Sequence, residues 1–118
     1  MKIVRLIIPL IFVLLSILYI LNKSDVAGVT DDNILIFTTT TCPYCKVVKD
    51  YISQNNILEK LPLVLLDATK PVYSKLLSEK ATICQLDPTG IGVPFYFYQD
   101  QCLSGDQPII DQLDKMLQ

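Results

Sequence analysis

The sequence predicts one small α/β domain, a four-stranded mixed sheet flanked by helices in the order β-α-β-α-β-β-α, carried behind a single N-terminal transmembrane helix. Three observations predict it. Residues 6–21 read LIIPLIFVLLSILYIL without a charge. After Asn33, short apolar runs rich in β-branched and aromatic residues alternate with segments of helical period. A Cys-x-x-Cys stands where the first such run gives way to the first helix. With 118 residues, 51% of them hydrophobic and 19% charged, the chain is too apolar for disorder and has room for one core.

Taken in order, the apolar run comes first. At about 1.5 Å per residue it covers ~24 Å, and with Ile3 and Val4 added it just reaches across a ~30 Å hydrocarbon layer. Lys2 and Arg5 precede it, so residues 1–21 are read as a membrane anchor with its N-terminus in the cytoplasm and the rest exported. The rival is a cleaved signal, for which Val26-Ala27-Gly28 offers a poor small-residue site. Pro9, in the first turn of the run, is expected to kink the helix rather than break it. Residues 22–32 (NKSDVAGVTDD) are polar and aperiodic and read as a tether, and the domain occupies 33–118.

Ile34-Leu35-Ile36-Phe37 predicts a strand buried on both faces. The helix that follows has apolar residues at 45, 48 and 52, with Pro43 at its first position and Cys42 at or beside its N-cap, and is expected to run to about Gln54. Leu61–Leu66 predicts a second strand, and Thr69–Leu77 a short helix with Pro71 in its first turn. Ala81–Gly92 holds an Asp87-Pro88-Thr89-Gly90 turn signal and is read as a loop. Val93–Tyr98 predicts a strand that turns at Gln99-Asp100 into Cys102-Leu103, and Ser104–Pro108 opens a last helix with a stripe of Ile109, Ile110, Leu113, Met116 and Leu117.

Composition removes several chemistries. The sequence has no histidine, which excludes the Ser-His-Asp triad, Cys-His proteases and Cys/His zinc fingers. Of the 10 basic residues, Lys2, Arg5 and Lys23 flank the apolar run, so the domain is acidic and no nucleic-acid face is expected. What remains is Cys42, Cys45, Cys84 and Cys102. Residues i and i+3 on a first helical turn can approach to a Cα separation of roughly 5–6 Å, as a disulfide needs. A helix N-terminus favours a thiolate at Cys42. Cys42 is then the nucleophile that forms a mixed disulfide, and Cys45 resolves it, with no metal or organic cofactor. A zinc site would have to recruit Cys84 and Cys102 and lacks a second close pair, and an inert staple across so short a loop gains little entropy. Cys84 and Cys102 are read as a structural disulfide, with two buried thiols or a relay from Cys45 as the alternatives. Tyr44, between the active cysteines, is expected to touch substrate, Tyr96 to Tyr98 to pack the sheet, and Lys46 and Lys49 to lie on a solvated face, Lys46 near enough to support a thiolate.

Ile34–Lys46 (ILIFTTTTCPYCK), Gly92-Val93-Pro94 and Ser104-Gly105 together resemble the thioredoxin superfamily over residues 33–118, and Cys-Pro-Tyr-Cys is the pattern typical of glutaredoxins. The resemblance implies a cis Val93-Pro94 peptide beside the active site, with Val93 backbone pairing with bound peptide or glutathione and Pro43, Tyr44, Val93 and Pro94 contacting substrate. The departures are specific. Thr39 stands where glutaredoxins usually carry lysine, and Ser104-Gly105-Asp106-Gln107 replaces the Gly-Gly and acidic pair that hold glutathione. Thr41 and Ile36 stand where thioredoxins carry tryptophan and a buried aspartate. Cys84 ahead of Gly-Ile-Gly-Val-Pro, with the closing hairpin, looks like the thioredoxin-like domains associated with vitamin K epoxide reductase homologues, which implies a membrane redox partner of that type. The expected function is a membrane-tethered extracytoplasmic thiol–disulfide oxidoreductase acting on exported thiol proteins. The alternatives are a glutathione-dependent glutaredoxin and a non-catalytic binding module for a membrane partner.

Overall fold

The computed structural model describes residues 1–21 and 28–118, so most of the expected tether, and with it Lys23 and the Val26-Ala27 part of the signal-cleavage site, lies outside the described residues. Helix α1 (Lys2–Leu21) carries Pro9 inside it and buries none of its residues. Its 20 residues give a length of ~30 Å, enough to cross a bilayer core. An apolar helix with no protein surface to cover it is one whose side chains suit lipid.

The remaining elements are β1 (Ile34–Thr38), α2 (Pro43–Gln54), α3 (Ile57–Lys60), β2 (Leu63–Asp67), α4 (Pro71–Ile83), β3 (Phe95–Tyr98), β4 (Gln101–Ser104) and α5 (Asp106–Leu117). The sheet order is β2-β1-β3-β4, with β1 parallel to β2 and antiparallel to β3, and β3 antiparallel to β4. This mixed four-stranded sheet with helices on both faces is the expected thioredoxin fold. Every residue of β1 is buried, as a central strand covered on both sides must be.

Alternation along β1 divides the core in two. Ile34 and Ile36 face Val48 and Ile52 of α2 and Ile109 and Leu113 of α5, with Tyr96 and Leu63 beside them. Leu35 and Phe37 face Leu76, Leu77 and Ala81 of α4, with Phe95, Phe97 and Leu66. Each buried Val, Leu, Ile or Phe among them contributes roughly 1.5–3 kcal/mol. Ile36, wholly enclosed, thus occupies with hydrocarbon the strand position where thioredoxins carry a buried carboxylate.

The structure corrects the expected boundaries at several points. Helix α4 does not stop at Leu77: Ser78–Ile83 holds no breaker, Ala81 is fully buried on the sheet, and the loop starts only after Cys84. The one-turn helix α3 follows Asn56, which takes the left-handed conformation, and it buries Ile57. So short a turn leaves no period in the sequence. Strands β2 and β3 begin at Leu63 and Phe95, because Pro62 and Pro94 lack the N–H that a ladder needs. Gln99 and Asp100 both have positive φ, the two-residue hairpin turn whose twist matches the strands. Before β1, the Asn33 side chain bonds the Thr30 N–H and the Pro62 carbonyl, and Val29, within the expected tether, packs against the α4 side of the core.

Candidate functional site

The site forms where β1 ends and α2 begins. Cys42 is the N-cap of α2, in extended conformation, with Pro43 at the first helical position, where its missing N–H costs nothing. The Cys45 backbone N–H donates to Cys42 Sγ at 3.1 Å. That sulfur stands where a capping oxygen usually would, facing free N–H groups and the positive end of the helix. Both features stabilise a sulfur anion over a thiol.

Cys42 and Cys45 are joined as a disulfide with Cα atoms 5.2 Å apart. They differ in exposure. Cys42 is half-buried, whereas Cys45 is fully enclosed. An incoming thiolate or disulfide therefore reaches Cys42 first, and Cys45 meets only Cys42. Pro43 is exposed and Tyr44 keeps 63% of its surface open to solvent, so the residues between the cysteines form the outer rim.

Across from them, the Val93-Pro94 peptide is cis. Cys42 Sγ lies 3.5 Å from the Val93 carbonyl oxygen, and Pro94 is buried beneath it. With Cys42 in a disulfide this is a contact; a Cys42 thiol could donate there. The Pro94 carbonyl accepts the Gly105 N–H at 3.1 Å, which ties the start of β3 to the end of β4. Among the described residues nothing bonds the Val93 N–H, which leaves its backbone edge unpaired beside the sulfur. The resemblance supplied this residue; composition and spacing alone did not.

Lys46 lies on the solvated helix face expected of it, where it bonds Asp50 at 2.7 Å. Thr39 is half-buried and Thr41 exposed beside the pair, and Asp106 opens α5 directly after Gly105. Cys84 and Cys102 form a second disulfide, with Cα atoms 6.2 Å apart, between the C-cap of α4 and β4. Cys102 pairs with Phe97 and Cys84 Sγ lies 3.5 Å from the Asp100 carbonyl, toward the hairpin turn. The active end of the sheet is at Phe95 and Ser104, so the second pair does not adjoin Cys45 as a relay needs. Among the described residues no group of three or more His, Cys, Asp or Glu could hold a metal ion.

Comparison with known proteins agrees with this geometry. Residues 34–77 match the glutaredoxin family, within the thioredoxin superfamily, and the matched stretch contains the Cys42–Cys45 pair. Val93-Pro94 and Ser104-Gly105 lie beyond it. No curated protein matches the chain. Over residues 34–77 the chain is similar to glutaredoxins, thiol oxidoreductases whose domains need no bound cofactor.

Proposed function

Starting from the glutaredoxin-family match, we propose that the chain is a membrane-tethered, extracytoplasmic thiol–disulfide oxidoreductase that exchanges disulfides with protein substrates. One observation carries the reading: a half-buried Cys42 sulfur at a helix N-terminus, bonded by the Cys45 N–H and facing the Val93 backbone, with a buried Cys45 behind it. In the reducing direction the Cys42 thiolate attacks one sulfur of a substrate disulfide, and the other sulfur leaves as a thiolate that takes a proton. Cys45 loses its proton and attacks Cys42 of the mixed disulfide, which releases the second substrate thiol. Two electrons have then passed to the substrate, and Cys42–Cys45 is oxidised. The reverse sequence oxidises a substrate dithiol.

The tether rests on α1, which is exposed throughout and long enough to cross a bilayer. Lys2 and Arg5 at its start favour a cytoplasmic N-terminus and an exported domain. A domain held at a membrane suits a membrane redox partner, of the vitamin K epoxide reductase type, as the source or sink of electrons. The departures at Thr39 and Ser104–Gln107 favour protein thiols over glutathione, while the family match makes glutathione exchange the second reading.

Replacing Cys45 by Ser separates these readings. In membranes the variant should accumulate mixed disulfides between Cys42 and exported proteins, seen as reducible high-mass bands. Adducts of glutathione alone would support the second reading. A Cys42→Ser chain that keeps its cellular role would instead support a binding module without catalysis.

A further inference from the structure

The second disulfide holds more than the core. Helix α4 ends in a Schellman turn, with Leu86 N–H bonded to the Ala81 carbonyl at 3.0 Å and Gln85 N–H to that of Thr82 at 3.0 Å. Gln85 takes φ +60 at the position where glycine is usual. Beyond it, the hydrogen bonds are internal: Asp87 Oδ1 accepts from the Thr89 N–H and hydroxyl, and the Gly90 N–H reaches the Asp87 carbonyl. Among the described residues, no hydrogen bond joins residues 87–92 to the sheet. The segment nevertheless delivers Val93 to 3.5 Å from the catalytic sulfur.

Its position therefore depends on its two ends, and both are fastened to the same strand. Cys84 is bonded to Cys102, and the Pro94 carbonyl takes the N–H of Gly105 just past β4. Between these posts only the partly buried Ile91 and Val93 add packing against the α4 side of the core. We infer that the Cys84–Cys102 disulfide is a positioning element for substrate: by fastening the start of the 85–93 segment to β4 it presents the Val93 backbone to an extended polypeptide beside Cys42. This rests on the oxidoreductase reading and adds a specificity role for a pair that the exchange chemistry itself does not use. A small dithiol, which needs only to reach the Cys42 sulfur, should be indifferent to the fastening, and a peptide dithiol should not.

The test uses the full chain, fully oxidised, in detergent micelles. Wild type and Cys84→Ala/Cys102→Val are mixed with dithiothreitol or with a short synthetic peptide dithiol, quenched in acid, alkylated and weighed. The electrons come from the added dithiol, which closes to its own disulfide as Cys42–Cys45 is reduced. Dithiothreitol should reduce Cys42–Cys45 at rates within about twofold in the two proteins, whereas the peptide concentration for half-maximal rate should rise about tenfold with the limiting rate retained. An unchanged half-saturation with only a lower melting temperature would overturn the inference and leave the bond a staple. If the double variant does not fold, two glycines inserted between Gly90 and Ile91 loosen the same segment with the disulfide kept. The same rise is then expected, and its absence overturns the inference. Failure of wild-type Cys42–Cys45 to react with either dithiol would sink the oxidoreductase reading instead.

Discussion

At the scale of single residues the site depends on an asymmetry between two cysteines that share one turn of helix. Cys42 accepts a backbone N–H and is half-buried, whereas Cys45 is fully enclosed. At neutral pH, brief alkylation of the reduced chain should therefore mark Cys42 at least about tenfold faster than Cys45. Peptide mapping of the alkylated product checks this. Away from the site, the Tyr51 hydroxyl donates to Asp114 at 2.5 Å, joining α2 to α5. That hydrogen bond first, then burial and the Asp114 and Asp111 charges, push the Tyr51 pKa up from 10.0 to about 12. A pKa raised on folding gives stability that is complete below the unfolded value and disappears as pH rises through the folded one. The unfolding free energy from denaturant titration should thus fall between about pH 10 and pH 12, by about 1 kcal/mol after solvent screening, and Tyr51→Phe should remove that part of the loss.

Elements respond to backbone chemistry that the hydrophobic pattern does not record. Gln85 ends α4 with φ +60, and the Gln99-Asp100 turn takes φ 47 and 60. Glycine adopts these values without a clash, so Gln85→Gly or Asp100→Gly should each raise stability by about 0.5–1 kcal/mol, read from chemical denaturation. In the strand core, Ile36→Ala should cost about 2–5 kcal/mol, because that side chain is enclosed from both neighbouring strands and from α2 and α5. The same distinction explains which elements were legible in the sequence. Helix α2 showed its Pro43 start and its 45, 48, 52 stripe, and β1 showed an uninterrupted apolar run, because each signal spans a whole element. The end of α4 did not, since Asp87-Pro88-Thr89-Gly90 is a strong turn signal that drew the expected loop too far toward the helix. Nor did α3, one turn set by the left-handed Asn56. At the site, Cys42 and Cys45 could be read from spacing alone. Val93 could not, because its place depends on pairings between β1, β3 and β4 that are distant in sequence.

For the whole molecule, the sheet puts the Cys42–Cys45 pair at the opposite end of β1 from the end where the chain enters the domain. Strand β1 enters at Ile34, the side from which α1 and the tether come in sequence, and leaves toward Cys42. An anchored chain should stay with membranes through alkaline carbonate washing, and an exported domain should be digested by protease added to the outer face of intact cells. In the proposed function Cys42–Cys45 cycles between dithiol and disulfide while Cys84–Cys102 stays closed. The first measurement is equilibration of the full chain in glutathione and dithiothreitol redox buffers, with trapped thiols counted by mass and mapped to each cysteine. The expected result is one two-electron step at Cys42 and Cys45, with a midpoint between about −270 and −120 mV, and a Cys84–Cys102 bond that yields only at more negative potential. A Cys42–Cys45 pair that stays oxidised below about −300 mV, as structural disulfides do, would mean that it does not cycle.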